Sequence, residues 1–491
     1  MGREKKDGKG IALDLVEPWT AEETEAGAVR KVKDVISLPS GVTSGMLYRD
    51  VVRIALPSVS EMILTQLASM VDLMMVGRLG PWAISSVGIS TQPKFIVMML
   101  FMAMNVGATA MVARYKGAGK PERANAILRQ ALVLTTFFAL IGSAGGYVFS
   151  EHLVRFMGAP DAETVRGGTA YLRIQCLGLL GFALTSTATA TLRGVGNTRT
   201  SMIYNMVANI VNVIFNYLLI YGNFGFPRLE VMGASIATII GQFTAFFLAM
   251  SALLRGKNYI RLRLKDSFKP NREALGAIFR IGLPALVEQA IMRIGVVSYT
   301  RIVTSLGTLL YATHMACMNI QQMSFMLGQA LAVSATSLVG QSLGKRRPDM
   351  AQFYATRTRR VGLAVSLVLA FTFAVFGRQI IALYAGDNNE SREIIELGSQ
   401  ILRLVALILP FQSSQFILAG ALRGAGDTRS IAAIIFVTVL LVRPGIAGLT
   451  VTVFHWGLWG AWIALFLDQV LRSFFVLLRY NSGKWKTAIK G

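Results

Sequence analysis

The sequence predicts an all-α integral membrane protein of twelve transmembrane helices arranged as two parallel six-helix repeats. Three observations carry that prediction. The 491 residues are 53% hydrophobic and only 15% charged, with a mean hydropathy of +0.53, whereas an ordinary soluble domain carries roughly 25% charge. Twelve apolar stretches are each long enough to cross a hydrocarbon core of about 30 Å, which takes about 20 helical residues. The second half of the chain also repeats the first in a nearly constant register.

The first 50 residues are polar and of mixed charge, with no apolar segment behind the basic start. That pattern excludes a cleavable signal peptide and predicts a mostly disordered cytosolic tail over 1–50. Spans then follow near 51–75, 83–110, 128–150, 167–192, 201–222, 231–254, 278–304, 311–337, 357–377, 396–421, 431–453 and 457–478. Turn chemistry separates them, as in Gly77-Arg78-Leu79-Gly80-Pro81 and Gly196-Asn197-Thr198-Arg199. The expected organisation is an N-lobe over 51–255, a basic cytosolic linker over 256–276, a C-lobe over 277–480 and a short cytosolic tail over 481–491.

Charge then sets the orientation. The chain holds 49 Lys and Arg against 26 Asp and Glu. Of those bases, 37 fall in the two tails and the even-numbered loops, and 6 fall in the odd-numbered loops. The positive-inside rule counts these residues alone and places both termini in the cytosol. Because the bases are spread over seven segments flanking apolar spans, no nucleic-acid groove is implied. Cys176 and Cys317 lie inside apolar runs without metal-ligand spacing, so neither a disulfide framework nor a zinc site is expected. The three histidines are scattered and no phosphate-binding Gly-Lys-Ser/Thr loop occurs, which argues against an enzyme or an ATP-driven pump.

At an offset of 227 residues, Leu56-Pro57…Glu61 matches Leu283-Pro284…Glu288, Ala108-Thr109 matches Ala335-Thr336, and Gly233-Ala234…Gln242 matches Gly460-Ala461…Gln469. At 230, Arg193-Gly194-Val195-Gly196-Asn197-Thr198-Arg199 matches Arg423-Gly424-Ala425-Gly426-Asp427-Thr428-Arg429. Six spans per half, starting on the same side, define parallel repeats about an axis along the membrane normal, an arrangement found in transporters. A packing repeat without transport is the plainer alternative.

The Pro57…Asp72 span followed by Val76-Gly77-Arg78-Leu79-Gly80, together with the paired Leu-Arg-Gly-x-Gly-[Asn/Asp]-Thr-Arg loops, resembles the multidrug and toxic compound extrusion (MATE) family. The segment Gly282-Leu283-Pro284-Ala285-Leu286-Val287-Glu288-Gln289 with Arg293 is more similar to its DinF-like bacterial branch than to the NorM branch. The resemblance covers residues 47 to 480. It implies cation-coupled antiport of organic compounds through a V-shaped cleft between two six-helix lobes, with no cofactor beyond the coupling ion.

Charges inside the bilayer are costly and therefore candidate functional groups. Glu61, Thr65 and Asp72 share one face of span 1, since eleven residues make close to three turns. Asp72 matches the family's N-lobe acid, which the resemblance makes a cation or proton site; the alternative is an interfacial acid held by Arg78. Its repeat mate is Tyr299, so the acid is present in one lobe only. Asn205, Asn209, Asn212 and Asn216 line one face of span 5, and Asn212 and Asn216 match the family's polar pair. Their oxygens with Asp72 suit Na⁺, or could hold a protonated carboxyl; amide contacts between helices are the structural alternative. Glu61 is assigned to the same coupling set.

In the C-lobe, Glu288 is expected to be compensated by Arg293 or, on helical geometry, by Arg443, which occupies the position equivalent to Asn216. Asp468 and Arg472 form an i, i+4 pair. Lys94, behind Pro93, is expected to neutralise Asp72 or Glu61 when the ion is absent, or else to snorkel at a kink. Pro57 and Pro284 are candidate hinges. Methionines such as Met98 and Met323 would give an adaptable cavity wall, or ordinary packing.

The functional expectation is a monomeric secondary antiporter of the bacterial inner membrane. It would export amphipathic, often cationic compounds such as drugs, toxins or metabolites as Na⁺ or H⁺ enters. A flippase for lipids or lipid-linked oligosaccharides is the alternative. A membrane enzyme or receptor would need a reactive cluster or a sensing domain, and the sequence offers neither.

Overall fold

The computed structural model describes residues 11–24, 37–158, 161–256, 258–263, 265–382 and 389–488. Among the described residues there is no strand, and twelve helices are long and apolar enough to cross a membrane. They are α1 (Ser44–Gly77), α2 (Pro81–Gly117), α3 (Pro121–Val148), α4 (Ala162–Gly194), α5 (Thr198–Tyr221) and α6 (Glu230–Leu254) in the first repeat. The second repeat holds α7 (Arg272–Thr304), α8 (Thr308–Gly344), α9 (Pro348–Ala382), α10 (Asn389–Gly424), α11 (Thr428–Val453) and α12 (Gly457–Asn481). The predicted fold class is the observed one.

Local chemistry accounts for the helix limits. Pro81, Pro121 and Pro348 open α2, α3 and α9 at a position where the missing N–H has no intrahelical partner to lose. Asn197 caps α5 by accepting from Thr200 N at 3.3 Å. Its repeat mate Asp427 accepts from Ser430 Oγ at 2.7 Å. Gly222 ends α5 in the left-handed region, at φ 74°. α11 is not a plain α-helix: π turns at Phe436–Val442 and Leu449–Val453 flank the α turn Arg443–Gly448. Pro444 sits in that central turn and cannot donate a backbone hydrogen bond.

Contacts divide the chain into two compact units, Met1–Ala55 with Val287–Gly491 and Leu56–Leu286. The division falls inside α1 and α7, close to Pro57 and Pro284, and not in the linker expected at 256–276. In the second of these units the start of α7 packs on α2. A Cβ at Gly107 would come within 2.4 Å of Ile278 O, so only glycine permits the approach. In the other unit the start of α1 packs on α8, where Ser334 Oγ donates to Val51 O at 3.2 Å. Gly107 and Ser334 are repeat mates, and so are Ile278 and Val51. The linker itself docks along α3, with Arg129 Nη1 2.7 Å from Asp266 Oδ2 and Gln130 Nε2 donating to Lys269 O at 2.9 Å.

The repeat also holds at atomic detail between α2 and α4 and between α8 and α10. Thr109 Oγ1 donates to Ala190 O at 3.0 Å and its mate Thr336 Oγ1 to Gly420 O at 2.8 Å.

One expectation is corrected here. The tail is expected to be mostly disordered over 1–50, yet Ala12–Leu15 forms a 3₁₀ turn with Ala12 and Leu13 each 2% exposed. Ala12 N donates to Asp50 Oδ2 at 2.7 Å, Tyr354 Oη donates to the same oxygen at 2.9 Å, and Lys345 Nζ donates to Leu13 O at 2.7 Å. Hydropathy misses this because three apolar side chains, Ala12, Leu13 and Val16, suffice to seat it in a polar segment. Residues 1–10 and 25–36 of that expected tail lie outside the described residues. α1 accordingly starts at Ser44 and not near 51.

Candidate functional site

The polar stripes of α1 and α5 meet in strict register, each pair separated by 144 residues. Asn205 Nδ2 donates to Glu61 Oε1 at 2.5 Å, Asn209 Nδ2 to Thr65 Oγ1 at 3.1 Å and Asn216 Nδ2 to Asp72 Oδ1 at 2.5 Å. Two parallel helices, each with its rung residues at four- and seven-residue spacing, place such rungs one above another. Asn212, with Nδ2 turned to the carboxylate, donates to both Asp72 oxygens at 3.0 Å and accepts from Thr238 N on α6 at 3.2 Å. Asn216 is fully buried, and its Oδ1 has no hydrogen-bond partner. Asp72, Asn212 and Asn216 are thus brought together as the sequence suggested.

Glu61 belongs to a different cluster. Its Oε1 lies 2.8 Å from Arg193 Nη2, and Ser201 Oγ donates to Oε2 at 3.3 Å. Placing Glu61 in one set with Asp72 is therefore corrected: its charge is matched by Arg193, the arginine of the repeated loop motif.

Glu288 shows the same arrangement. It is 2% exposed and pairs with Arg423, the repeat mate of Arg193. The expected partner Arg443 is corrected as well. Arg443 pairs with Asp468, which also accepts from Arg472 Nη2 at 2.6 Å, giving a buried Arg–Asp–Arg cluster. Arg293 is exposed on α7.

Lys94 does not meet Asp72 or Glu61 either. Its Nζ donates to Gln175 Oε1 on α4 at 2.6 Å and lies 5.7 Å from the centroid of Phe182. A helix 2 lysine therefore faces helix 4, which its position in sequence could not reveal. Pro57 and Pro284 lie inside continuous helices, α1 and α7. Sequence reasoning missed Arg193, Arg423 and Gln175. The arginines carried a visible signal, since each opens the repeated loop motif at a membrane helix end. Among the described residues no group of three or more His, Cys, Asp or Glu side chains gathers to hold a metal.

Twelve spans in two repeats, with buried amides and a carboxylate on facing helices, define a membrane transporter of tandem-repeat build. The chain belongs to the MatE family, whose model matches residues 57–218 and 284–447, and members of this multidrug and toxic compound extrusion family are transporters and not enzymes. It is 29% identical over 444 residues, 90% of this chain and 93% of the relative, to a protein of Thermotoga maritima named "Probable multidrug resistance protein NorM". It is 26% identical over 436 residues, 88% of this chain and 94% of the relative, to the multidrug resistance protein MdtK of Yersinia pestis. A solved MATE family transporter described as outward-facing superposes with TM-score 0.81 at 23% identity, covering 91% of this chain and all of that one.

Proposed function

We propose that this protein is a secondary antiporter of the bacterial inner membrane that exports amphipathic, often cationic organic compounds as Na⁺ or H⁺ enters. Both termini face the cytosol in this reading, because the basic loops and tails share one side. It acts as a monomer. Extrusion is supported by the relatives named for multidrug resistance. Coupling is supported by one observation above the others, a carboxylate that receives amide donors on both oxygens beside a buried, unpartnered Asn216 Oδ1.

Donors on both oxygens match an ionised Asp72. A cation entering there gains the carboxylate and the orphan Asn216 oxygen, both hard oxygen ligands that suit Na⁺. A proton is served by the same groups, because Asn212 can turn its amide and accept from the protonated carboxyl. Either ion relaxes the hold of α5 on the outer part of α1. An ion that binds the two facing states unequally then shifts the population between them and drives exchange. A flippase for lipid-linked substrates is less well supported, since the NorM and MdtK relatives carry multidrug-resistance names.

The test is dye uptake into inside-out proteoliposomes under an imposed Na⁺ gradient and, separately, an imposed pH gradient. Uptake under one gradient names the ion, and D72N should abolish it while the protein stays folded. Unimpaired uptake by D72N would refute the role of Asp72.

A further inference from the structure

The α2–α4 face of the first repeat holds a positive charge with no matching acid. Lys94 is partly exposed, and its ammonium uses one of three donors, on Gln175 Oε1. Gln175 is 1% exposed, and its Nε2 has no partner at all. Among the described residues Lys94 enters no ion pair, unlike Arg193, Arg423, Arg443 and Arg472. Several unused donors thus converge at one place inside the membrane, where an unmatched charge is expensive. Beside them stands the half-buried ring of Phe182, under the ammonium, backed by the buried Phe101 at 6.1 Å and flanked by Met98.

Among the described residues the second repeat has no such site. The mates of Lys94 and Phe182 are Gln321 and Gln412, two neutral amides that bond each other at 3.5 Å. A scaffolding role would call for the same solution in both halves, as the Glu61–Arg193 and Glu288–Arg423 pairs show. The lysine serves something that only the first repeat handles.

We propose that Lys94 and Gln175 form a substrate subsite for a carboxylate. Its ligands are zwitterionic or anionic aromatic compounds whose ring packs on Phe182. The carboxylate accepts from a free donor of the Lys94 ammonium and from the unpartnered Gln175 Nε2, while the bond from Lys94 to Gln175 Oε1 stays in place. This rests on the export reading above and narrows it: the transported compounds include acids, not cations alone.

A matched pair of dyes tests it. Rhodamine B carries a free carboxylate and its ethyl ester does not, while the cationic ring system is the same. Binding of each to the purified full-length protein is measured by fluorescence polarisation without any ion gradient. Wild type should bind rhodamine B about ten- to a hundredfold more tightly than the ester, the range of a hydrogen bond to a charged group. K94Q should erase that preference by weakening rhodamine B binding, K94R should keep most of it, and Q175L should reduce it. Equal binding of both dyes by wild type, or an equal loss of both in K94Q, overturns the proposal. If K94Q does not fold, the Q175L ratio decides by the same criterion. Because no gradient enters the measurement, failure of the antiport reading would show separately, as absence of gradient-driven uptake of either dye by wild type.

Discussion

Glu61 and Glu288 each lie one turn past a proline, and each meets the arginine that opens the repeated loop motif. Such a buried pair is weak support for net stability, but removing one partner strands the other charge, at about 3–5 kcal/mol. E288Q and R423Q should therefore each destabilise the protein by roughly 3 kcal/mol, and the double variant should recover much of that loss. Thermal or denaturant unfolding in detergent supplies the cycle; additive single losses would deny the pairing. E61Q and R193Q should behave alike, with a comparable coupling, since the Arg193 and Arg423 side chains are 19% and 17% exposed. The same residues show what a sequence can and cannot disclose. The ladder from Thr65–Asn209 to Asp72–Asn216 was legible, since each half of it is a periodic stripe on one helix. The Asp468–Arg472 contact was legible as an i, i+4 pair. Partners set by packing between distant helices were not. Nothing local ties Glu61 to Arg193, 132 positions on, or Lys94 to Gln175, at a sequence separation of 81.

At the scale of elements, the number of helices and their repeat followed from hydropathy and self-similarity, because each span must satisfy its own backbone in lipid. Irregular backbone did not follow. The π turns of α11 leave no periodic trace, although Pro444 marks their centre. Close helix approaches were visible only as glycines of unknown purpose. Gly424 is one that the packing explains: a Cβ there would lie 2.3 Å from Thr336 O, and at its mate Gly194 2.7 Å from Thr109 O. Both clashes are with backbone, which cannot give way cheaply. G424A and G194A should therefore cost about 1–3 kcal/mol, as overpacking does. Gly445 is the internal control, since nothing lies within 4 Å of its added Cβ. G445A should be neutral or stabilise by up to about 1 kcal/mol, the helix-propensity gain of alanine. Thermal midpoints of the three variants, measured in one detergent, check the order; a G445A loss as large as that of G424A would mean that α11 needs glycine for its π turns.

The whole molecule sets a symmetric scaffold against asymmetric chemistry. Where the first repeat places Asp72 beside Asn216, the second places Tyr299 and Arg443, with the Arg443 guanidinium 5.8 Å from the centre of the Tyr299 ring. Tyr299 donates to Ala461 O at 3.0 Å, and Arg443 is held by Asp468, itself 0% exposed and shared with Arg472. A cation has no open acceptor to displace there: one acid already serves two guanidiniums, and the residual charge repels a second cation. The first repeat, by contrast, keeps an acid dressed only with neutral amides. Coupling confined to one repeat makes a paired prediction. D72N should remove the response to either ion gradient while the protein remains folded. Y299F deletes a single buried hydrogen bond and should cost about 1 kcal/mol of stability, yet leave the ratio of uptake with and without the gradient within about twofold of wild type, well inside the tenfold that 1.4 kcal/mol of coupling would produce. Both are read in the same proteoliposomes, with unfolding followed alongside to separate loss of fold from loss of coupling. If Y299F abolishes the gradient response at unchanged fold, the second repeat takes part in coupling, and its Arg–Asp–Arg cluster must open during the cycle instead of bracing it.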